Sequence, residues 1–144
     1  SKLEPLMASA RIFFTVGSLD YLKMGGRIGK VATAATGKLG VKPVIVMKDG
    51  DIGLGGIGRN RNKLKASVLQ VAKKYLDENG KDNFIVSVGY GYDKEEGFQF
   101  MNEVESTLDV KLDSETNVAI GIVSAVHTGP YPIGLGVIRK YETL

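Results

Sequence analysis

The sequence predicts an α/β domain, with α+β as the alternative, in which a mixed β-sheet of about six strands is packed with helices. Two observations predict this class. Apolar stretches of strand length outnumber helical ones along 144 residues, of which 43% are hydrophobic. Asp49-Gly50 separates two such stretches and is typical of a β-hairpin, so part of the sheet is antiparallel. We expect residues 1–144 to form a single domain.

Four elements are predicted before the hairpin. Residues 11–16 are a short apolar block typical of a buried strand. Ser18 is a good N-cap for a short helix over residues 19–24. Residues 30–39 are rich in alanine and predict a helix with a narrow, small-residue face. Residues 41–48 predict the strand that leads into the hairpin.

Two longer helices are predicted after the hairpin. Residues 62–76 place apolar side chains on one stripe, and Asn79-Gly80 ends this helix. Asp93 with Glu96 resembles a capping box that opens the second helix. The predicted solvated side of the first helix carries Lys63, Lys65, Lys73 and Lys74. The predicted core-facing residues are Leu64, Val68, Val71, Ala72 and Tyr75 in the first helix and Phe98, Met101, Val104 and Leu108 in the second.

The remaining apolar stretches predict three strands. Residues 84–88 predict a central strand, and residues 134–138 predict the last one. Residues 117–126 predict a long strand that ends just before His127, at a turn. On such a strand Ser124 would point away from His127, and no G-x-S-x-G elbow is present, so hydrolase chemistry is not expected.

Composition excludes several classes of protein. Cysteine is absent and there is one histidine, which rules out disulfides and thiol catalysis and disfavours a zinc or other metal centre. The apolar stretches are too short or too broken by glycine to span a bilayer, so no stable membrane insertion is expected. Residues 1–10 lack the pattern of a secretion signal, and we expect a cytoplasmic protein.

Charge is divided unequally along the chain. Residues 1–74 carry 14 Lys/Arg against 4 Asp/Glu, whereas residues 75–144 carry 5 against 12. No basic run is interleaved with aromatic residues, so a nucleic-acid partner is not expected. Two solvated faces of opposite sign, or a basic surface that docks another protein, account for this pattern.

Gly53 to Gly58 satisfies the pattern G-x-G-x-x-G, which is typical of dinucleotide-binding loops when a helix follows. However, the stretch before it is the return arm of a hairpin and not the first strand of a βαβ unit. A bulged edge strand is the other explanation of these glycines, and it is the one we favour.

Two segments at opposite ends of the chain are candidates for binding an anion. Arg27 lies within Gly25-Gly26-Arg27-Ile28-Gly29, where its guanidinium either bonds the preceding helix end or orients a carboxylate or phosphate. His127 lies within His127-Thr128-Gly129-Pro130, and it is either structural or part of a site. Arg59 and Arg61 precede the lysine-bearing helix and hint at an acidic partner, because cations oppose the helix dipole there.

Together these segments resemble the C-terminal domain of the DegV family of lipid-binding proteins, over nearly the whole chain. The segments that carry the resemblance, in order, are Ser18-Leu19-Asp20-Tyr21-Leu22, Gly25-Gly26-Arg27-Ile28-Gly29, Lys42-Pro43, Asp49-Gly50, Arg59-x-Arg61 and His127-Thr128-Gly129-Pro130. The resemblance implies a bacterial two-domain protein that holds one long-chain fatty acid where its domains meet. It implies that the N-terminal domain is missing from residues 1–144.

The resemblance also implies a role and a set of residues. Such proteins are the acyl-binding subunit of fatty-acid kinase, and a separate ATP-binding subunit phosphorylates the carboxylate, so this chain would need neither catalysis nor a cofactor of its own. His127, Arg27 and Thr128 would hold the carboxylate. Arg59 and Arg61 would lie toward the kinase subunit. The acyl tunnel would be lined by Ile28, Ala32, Ala35, Val44, Val46, Ile120 and Ile122.

Overall fold

The computed structural model describes residues 1–32 and 40–144. Within these residues one sheet is formed by the strands β1 (Arg11–Thr15), β2 (Lys42–Lys48), β3 (Asp51–Gly58), β4 (Phe84–Tyr90), β5 (Val118–Ala119) and β6 (Ile133–Arg139). The strand order is β3-β2-β1-β6-β4-β5. Neighbouring strands are antiparallel, except that β4 and β5 run parallel. The predicted mixed sheet of about six strands is confirmed.

The helices of the described residues are α1 (Leu3–Ser9), α2 (Asp20–Met24), α3 (Arg61–Asn79), α4 (Lys94–Leu108) and α5 (Ile122–Thr128). The predicted capping residue of α4 is confirmed, because the Asp93 side chain accepts a hydrogen bond from the Glu96 N–H at 3.0 Å. At the end of α3, Gly80 adopts a φ of 82°, a left-handed conformation that suits glycine. Helix α1 was not predicted from the sequence.

The hairpin and the bulge are both confirmed. Asp49 and Gly50 have φ values of 51° and 81°, which the tight turn between β2 and β3 requires. In the pairing of β3 with β2, Leu54 lies opposite Ile45 and Gly56 lies opposite Val44, so Gly55 is the extra residue of a bulge. The glycine run is therefore part of an edge strand, and the dinucleotide-loop interpretation has no loop to support it.

Helices α3 and α4 cover one face of the sheet. Phe13 of β1, Val44 of β2 and Leu135 of β6 are buried on this face. They pack with Val68 of α3 and Phe100 of α4 in the larger of two apolar clusters. Successive strand residues point to opposite faces, so this cluster uses every second residue of each strand.

The opposite face of the sheet has a smaller apolar cluster. Phe14 and Val16 of the β1 segment pack there with Ile45 of β2. Leu22 of α2 and Val31, in the 3-10 turn Gly29–Val31, cover them. The predicted helix over residues 30–39 begins in this turn, and from residue 33 onward it lies outside the described residues. Among the described residues, α2 and this turn cover only part of the second face.

Two helical residues differ from prediction in their exposure: Phe98 was expected to face the core, and Lys65 was expected to be solvated. Phe98 is 56% exposed, whereas Phe100 is fully buried. The buried face of α4 instead runs through Gly97, Phe100, Val104 and Leu108. Phe98 lies outside that face, with its ring centroid 6.0 Å from that of Tyr90. Lys65 was expected to be solvated but is 7% exposed, because α4 packs beside it and places Glu96 Oε1 3.8 Å from its Nζ.

The long strand predicted over residues 117–126 was also wrong. Only Val118 and Ala119 pair with β4, opposite Gly89 and Tyr90, where β4 ends. Beyond this point β4 offers no backbone partner, so the chain satisfies its own hydrogen bonds by turning at Gly121 into α5. The β-branched residues of this stretch favour a strand, but the end of the neighbouring strand overrides that preference.

Candidate ligand groove

A groove crosses the face of the sheet opposite α3 and α4, where the described residues leave it uncovered, and glycines form most of its floor. Gly134 and Gly136 alternate along β6, so both face this side. On the neighbouring strand β4, Gly89 pairs with Gly134 and Ser87 pairs with Gly136. These four positions line a cavity of about 270 Å³. Three neighbouring glycines thus contribute backbone and no side chain to this side of the sheet.

Apolar side chains form the walls of this furrow. Ile12 and Phe14 of β1 and Met47 of β2 stand on one side. Val118 and Ile120, in and after β5, stand on the other. The walls therefore come from strands far apart in sequence, which the sheet order brings to either side of β6 and β4.

The space above the floor differs from one glycine to the next. Among the described residues, a Cβ at Gly136 would meet only Arg11 O, at 3.9 Å. A Cβ at Gly89 would stand 2.9 Å from Ile120 Cδ1, so the isoleucine rests directly on the backbone there. A Cβ at Gly134 would stand 2.5 Å from Phe14 Cβ and nearer still to Phe13 O, so β1 occupies that position. With respect to the described residues, the groove is open over Gly136 and closed over Gly89 and Gly134.

Helix α5 borders one end of the groove. Ser124 and Thr128, four residues apart and hence on one helix face, both line the cavity. The expectation that Ser124 points away from His127 assumed a strand, and that premise was wrong because the segment is a helix. Ser124 lines the groove, whereas His127 is not in its lining. The Thr128 hydroxyl donates to Gly129 O at 3.1 Å. These two hydroxyls are the polar side chains that α5 contributes to the lining.

The two segments predicted to form an anion site are in contact. His127 lies in the last turn of α5, and its Cε1 would be 3.1 Å from a Cβ on Gly25, which caps α2. Its Nδ1 is closer still to that position. This nitrogen is buried and has no hydrogen-bond partner in the part of the chain that the structure describes. Gly129, where a Cβ would be 2.5 Å from Tyr21 Cδ2, continues the contact between α2 and α5.

Arg27 is exposed, just beyond this contact. The carbonyls at the end of α2 are bonded by backbone donors, since the Arg27 N–H donates to Leu22 O at 2.8 Å and the Gly26 N–H donates to Lys23 O at 3.1 Å. Within residues 1–32 and 40–144, the Arg27 guanidinium has no hydrogen-bond partner, so the helix end does not use it. Of the three predicted carboxylate-binding residues, Thr128 lines the groove, while His127 and Arg27 lie outside its lining.

The predicted tunnel residues lie in different places. Ile120 lines the groove, and Ile28 packs against the smaller cluster on the same face. Ala32 is half-buried beside the 3-10 turn, and Ala35 lies outside the described residues. Ile122 is 81% exposed on α5 and is no part of the lining.

Val44 and Val46 were predicted to line the tunnel, but neither lines the groove. Both face α3 on the other side of the sheet, Val44 in the larger cluster and Val46 packed against it. Their even-numbered positions share a face with each other but not with Ile45 and Met47, because strand residues alternate. The residues of β2 that face the groove side are therefore Ile45 and Met47.

The two arginines proposed for partner docking have different surroundings. Arg59 is exposed between β3 and α3. Arg61 instead binds Glu96 of α4 through two hydrogen bonds, Nε to Oε1 and Nη2 to Oε2, each 2.8 Å long. The two side chains are 29% and 17% exposed. Arg61 therefore joins α3 to α4 inside this chain, and its Nη1 is buried without a partner among the described residues.

Sequence reasoning missed the residues that form the floor. These residues are glycines without a functional group, and they were not selected from the sequence: Gly89, Gly134 and Gly136. The spacing Gly134-x-Gly136 inside an apolar strand was the available signal, because alternate glycines on a strand empty one face of it. Their alignment with Gly89 depends on the pairing of β4 with β6.

The described residues contain neither a group of side chains suited to a metal ion nor a helix suited to a membrane. Among residues 1–32 and 40–144 there is no group of three or more acidic or histidine side chains placed to hold a metal ion. The helices in the same ranges include none with both the length and the apolar character of a membrane span.

The fold and the groove define a class of protein: mixed-sheet α/β domains in which helices cover one face and an apolar furrow crosses the other. The chain belongs to the DegV family, whose model, described as "Uncharacterised protein, DegV family", matches residues 1–140. It is 30% identical over 136 residues to a DegV domain-containing protein of Deinococcus radiodurans, covering 92% of this chain and 46% of that protein. It is 34% identical over 129 residues to one from Clostridium perfringens, covering 89% and 44%.

Solved structures agree with this assignment. A structure described as a fat acid (stearic acid)-binding protein from Eubacterium ventriosum is 95% identical, with a TM-score of 0.96, over 99% of this chain and 49% of that one. A DegV family protein from Thermus thermophilus, described by its fatty acid binding, is 27% identical with a TM-score of 0.81, over 96% and 49%. The chain thus spans about half the length of these relatives, and its similarity to DegV proteins is confirmed.

Proposed function

We propose that this chain binds a long-chain fatty acid, with the acyl tail in the groove and the carboxylate at the α5 end. The groove itself carries the proposal: a furrow floored by glycine backbone and walled by Ile12, Phe14 and Ile120 fits a slim, unbranched apolar chain. The 95% identical protein described as binding stearic acid supports the same ligand class.

Burial of the tail supplies enough free energy for tight binding. Each buried methylene contributes about 0.8 kcal/mol, so a tail of about sixteen carbons gains on the order of 10 kcal/mol before ordering costs. The polar groups then need only fix the head group and its register.

The carboxylate is bound, in this proposal, where the two predicted segments meet. Because Nδ1 of His127 lies against Gly25, Nε2 is the nitrogen available to a ligand. Thr128, one residue later, already borders the groove. The exposed guanidinium of Arg27 supplies a permanent positive charge nearby, which favours an anionic head group.

We further propose that a second domain, N-terminal to this one, completes the site. The relatives are about twice as long as this chain. Ile122, Val123 and Val126 of α5 are exposed apolar residues beside the groove, and such a patch marks an interaction surface. A neighbouring domain seated on α5 would cover them and close the tunnel.

The proposed role ends with presentation of the bound carboxylate to a fatty-acid kinase subunit that holds ATP. This chain would carry out no chemistry itself, and Arg59 would contribute to the docking surface because it is exposed and forms no ion pair with the other described residues. Arg61 is bound to Glu96 and is the weaker candidate for that contact.

The direct experiment is mass spectrometry of lipid extracted from the longer, two-domain protein after purification, alongside the 144-residue chain. We expect a stoichiometric fatty acid from the two-domain form. A two-domain protein that yields no fatty acid, and takes up none when stearate is added, would contradict the proposal. An empty 144-residue chain would instead show that the second domain is required.

A variant pair tests the head-group site separately. His127→Ala should weaken binding while the protein stays folded, and His127→Gln should retain part of the affinity because its amide still donates a hydrogen bond. Loss of folding in both variants would assign the histidine a structural role.

A further inference from the structure

A second cavity adjoins the groove at the end away from α5. It measures about 310 Å³ and shares Ile12 and Met47 with the groove. Its other apolar lining residues are Met7 of α1, Ala10 and Ile138. The two cavities therefore form one path along the sheet face, with a boundary where Ile12 and Met47 stand.

The sheet register explains this boundary. Ile12 of β1 pairs with Met47 of β2 on one side and with Gly136 of β6 on the other. The path is therefore walled by two long side chains on the β2 side but open over the glycine. A chain that follows β6 can pass the boundary above Gly136, where a Cβ would meet nothing within 3.9 Å.

Strand geometry gives the length of the path from Ile133, near α5, to Ile138, which lines the second cavity. From Ile133 to Ile138 the strand advances about 17 Å at about 3.4 Å per residue. A zigzag alkyl chain advances about 1.25 Å per carbon, given carbon–carbon bonds of about 1.5 Å. Because Ile138 already lines the second cavity, a chain of roughly fourteen carbons reaches into that cavity, and its remaining space takes the further carbons of a longer chain.

The charges at the second cavity disfavour a carboxylate there. Asp49 lines it and would repel an anionic head group. Arg11 also lines it, but its Nη1 donates to Ala8 O and Ala10 O at 2.7 and 2.6 Å, and its guanidinium lies over the Tyr75 ring. The cation is therefore already bonded, and the cavity suits the apolar end of a ligand.

We propose that this second cavity selects the length of the acyl chain, by taking the terminal carbons of fatty acids longer than about fourteen carbons. Ile12 and Met47 form its entrance, and Met7 and Ala10 form its far wall. The flexible methionine side chains can adjust to chains that differ by one or two carbons. This inference rests on the proposed function, since it assigns a specificity role to one end of the same groove.

The test measures the affinity of the two-domain protein for saturated fatty acids of 12, 14, 16 and 18 carbons, by displacement of a fluorescent fatty acid. In the parent, affinity should rise by up to about fourfold per added methylene through 18 carbons. Ala10→Phe should fill the second cavity, lowering the ratio of 18-carbon to 14-carbon affinity at least about tenfold while the 12-carbon acid binds as before. Leu3→Phe, on the same helix but outside the cavity, is the matched control.

Met7→Trp gives a second variant in case Ala10→Phe disturbs the docking of α1, because Met7 is 69% exposed and tolerates a larger side chain. An unchanged 18-to-14 ratio in both variants, with the parent binding these acids, would overturn the inference and leave the proposed function standing. Equal loss of all four acids would overturn it too, since the cavity would then not be terminal. A parent protein that binds none of them would refute both.

Discussion

The imidazole ring of His127 packs directly against the backbone of Gly25. A β-carbon at position 25 would overlap Nδ1 of the imidazole, so only glycine leaves room for the ring. The contact joins the C-terminal end of α2 to the last turn of α5 and brings together two segments from opposite ends of the chain. It holds the histidine beside Thr128, which borders the groove.

Gly25→Ala is therefore expected to displace the imidazole. The overlap should destabilise the protein by about 1–3 kcal/mol, as overpacking of a close contact does. It should also weaken fatty-acid binding, because the ring loses its fixed position. Chemical denaturation and ligand titration measure the two effects.

Gly53→Ala is the matched control for this variant, since a Cβ there has nothing closer than Val46 O at 3.8 Å. If both alanine variants have the same stability and affinity as the parent, then the His127 ring does not require glycine at position 25.

Gly136→Leu should block the groove without unfolding the domain. Position 136 faces open space, so the free energy of unfolding should stay within about 1 kcal/mol of the parent. A leucine side chain would displace about four methylenes of the ligand, which costs about 3 kcal/mol or two orders of magnitude in affinity. Titration with stearate provides the measurement.

The control for the blocked groove is Gly53→Leu, on edge strand β3 and away from the lining. It should bind stearate like the parent. Retained binding by Gly136→Leu would place the ligand elsewhere on the molecule.

The Arg61–Glu96 pair should contribute measurably to the joining of α3 and α4. A bidentate, largely buried pair of this kind is stronger than an exposed one, and we expect a coupling energy of about 1–3 kcal/mol between the two residues. A double-mutant cycle with Arg61→Ala and Glu96→Ala, read by denaturant unfolding, measures it. Arg59→Ala, at the neighbouring exposed arginine, should leave stability unchanged.

A coupling energy near zero would show that the pair does not hold the helices together. The cycle also matters for docking experiments, because loss of kinase binding in an Arg61 variant would be interpretable only once its stability is known.

The Lys81–Asp109 pair predicts a pH dependence of stability. The hydrogen bond from Lys81, together with its positive charge, holds the pKa of Asp109 below its ordinary value, and the same bond raises the pKa of Lys81. A lowered carboxyl pKa stabilises the fold above the unfolded-state pKa of about 3.9, and this stabilisation is lost as pH falls through the folded-state value. The raised pKa of Lys81 affects stability at alkaline pH. Its stabilising contribution is lost as pH rises above the unfolded-state pKa of about 10.4 and through the folded-state value.

Asp109→Asn isolates this contribution, because asparagine also tolerates the φ of 51° at this position. The variant should be less stable than the parent at pH 7, and the difference should disappear as pH falls through the lowered folded-state pKa of Asp109, because residue 109 is then neutral in both proteins. Unfolding by urea at several pH values measures it. Glu142→Gln serves as a surface control, and a difference for Asp109→Asn that persists in acid would assign its effect to the backbone turn.

Most of the fold was accessible from local patterns. The Asp49-Gly50 turn, the Asp93 cap and the apolar stripe of α3 each depend on neighbours within a few residues, so the sequence contains them directly. The contact between the two anion-site segments followed from treating them as parts of one site. The exposure of Phe98 and the helix within residues 117–126 could not be predicted this way, since both depend on contacts outside the segment itself. Tyr90 packs on Gly97 beside Phe98, and β4 ends at Tyr90.

Local sequence was sufficient for the Asp49-Gly50 turn and the Asp93 cap, because short-range sterics and hydrogen bonds govern them. The predicted Ser18 cap was wrong, because the short helix begins at Asp20 and Leu19 is its N-cap. The groove is a different kind of feature. Its floor exists only where the register of β6 with β4 sets Gly134 opposite Gly89, and its walls only where the strand order places Met47 and Ile120 on either side. Pairing between distant strands depends on the packing of the whole sheet, so the space for a ligand arises from the assembled fold.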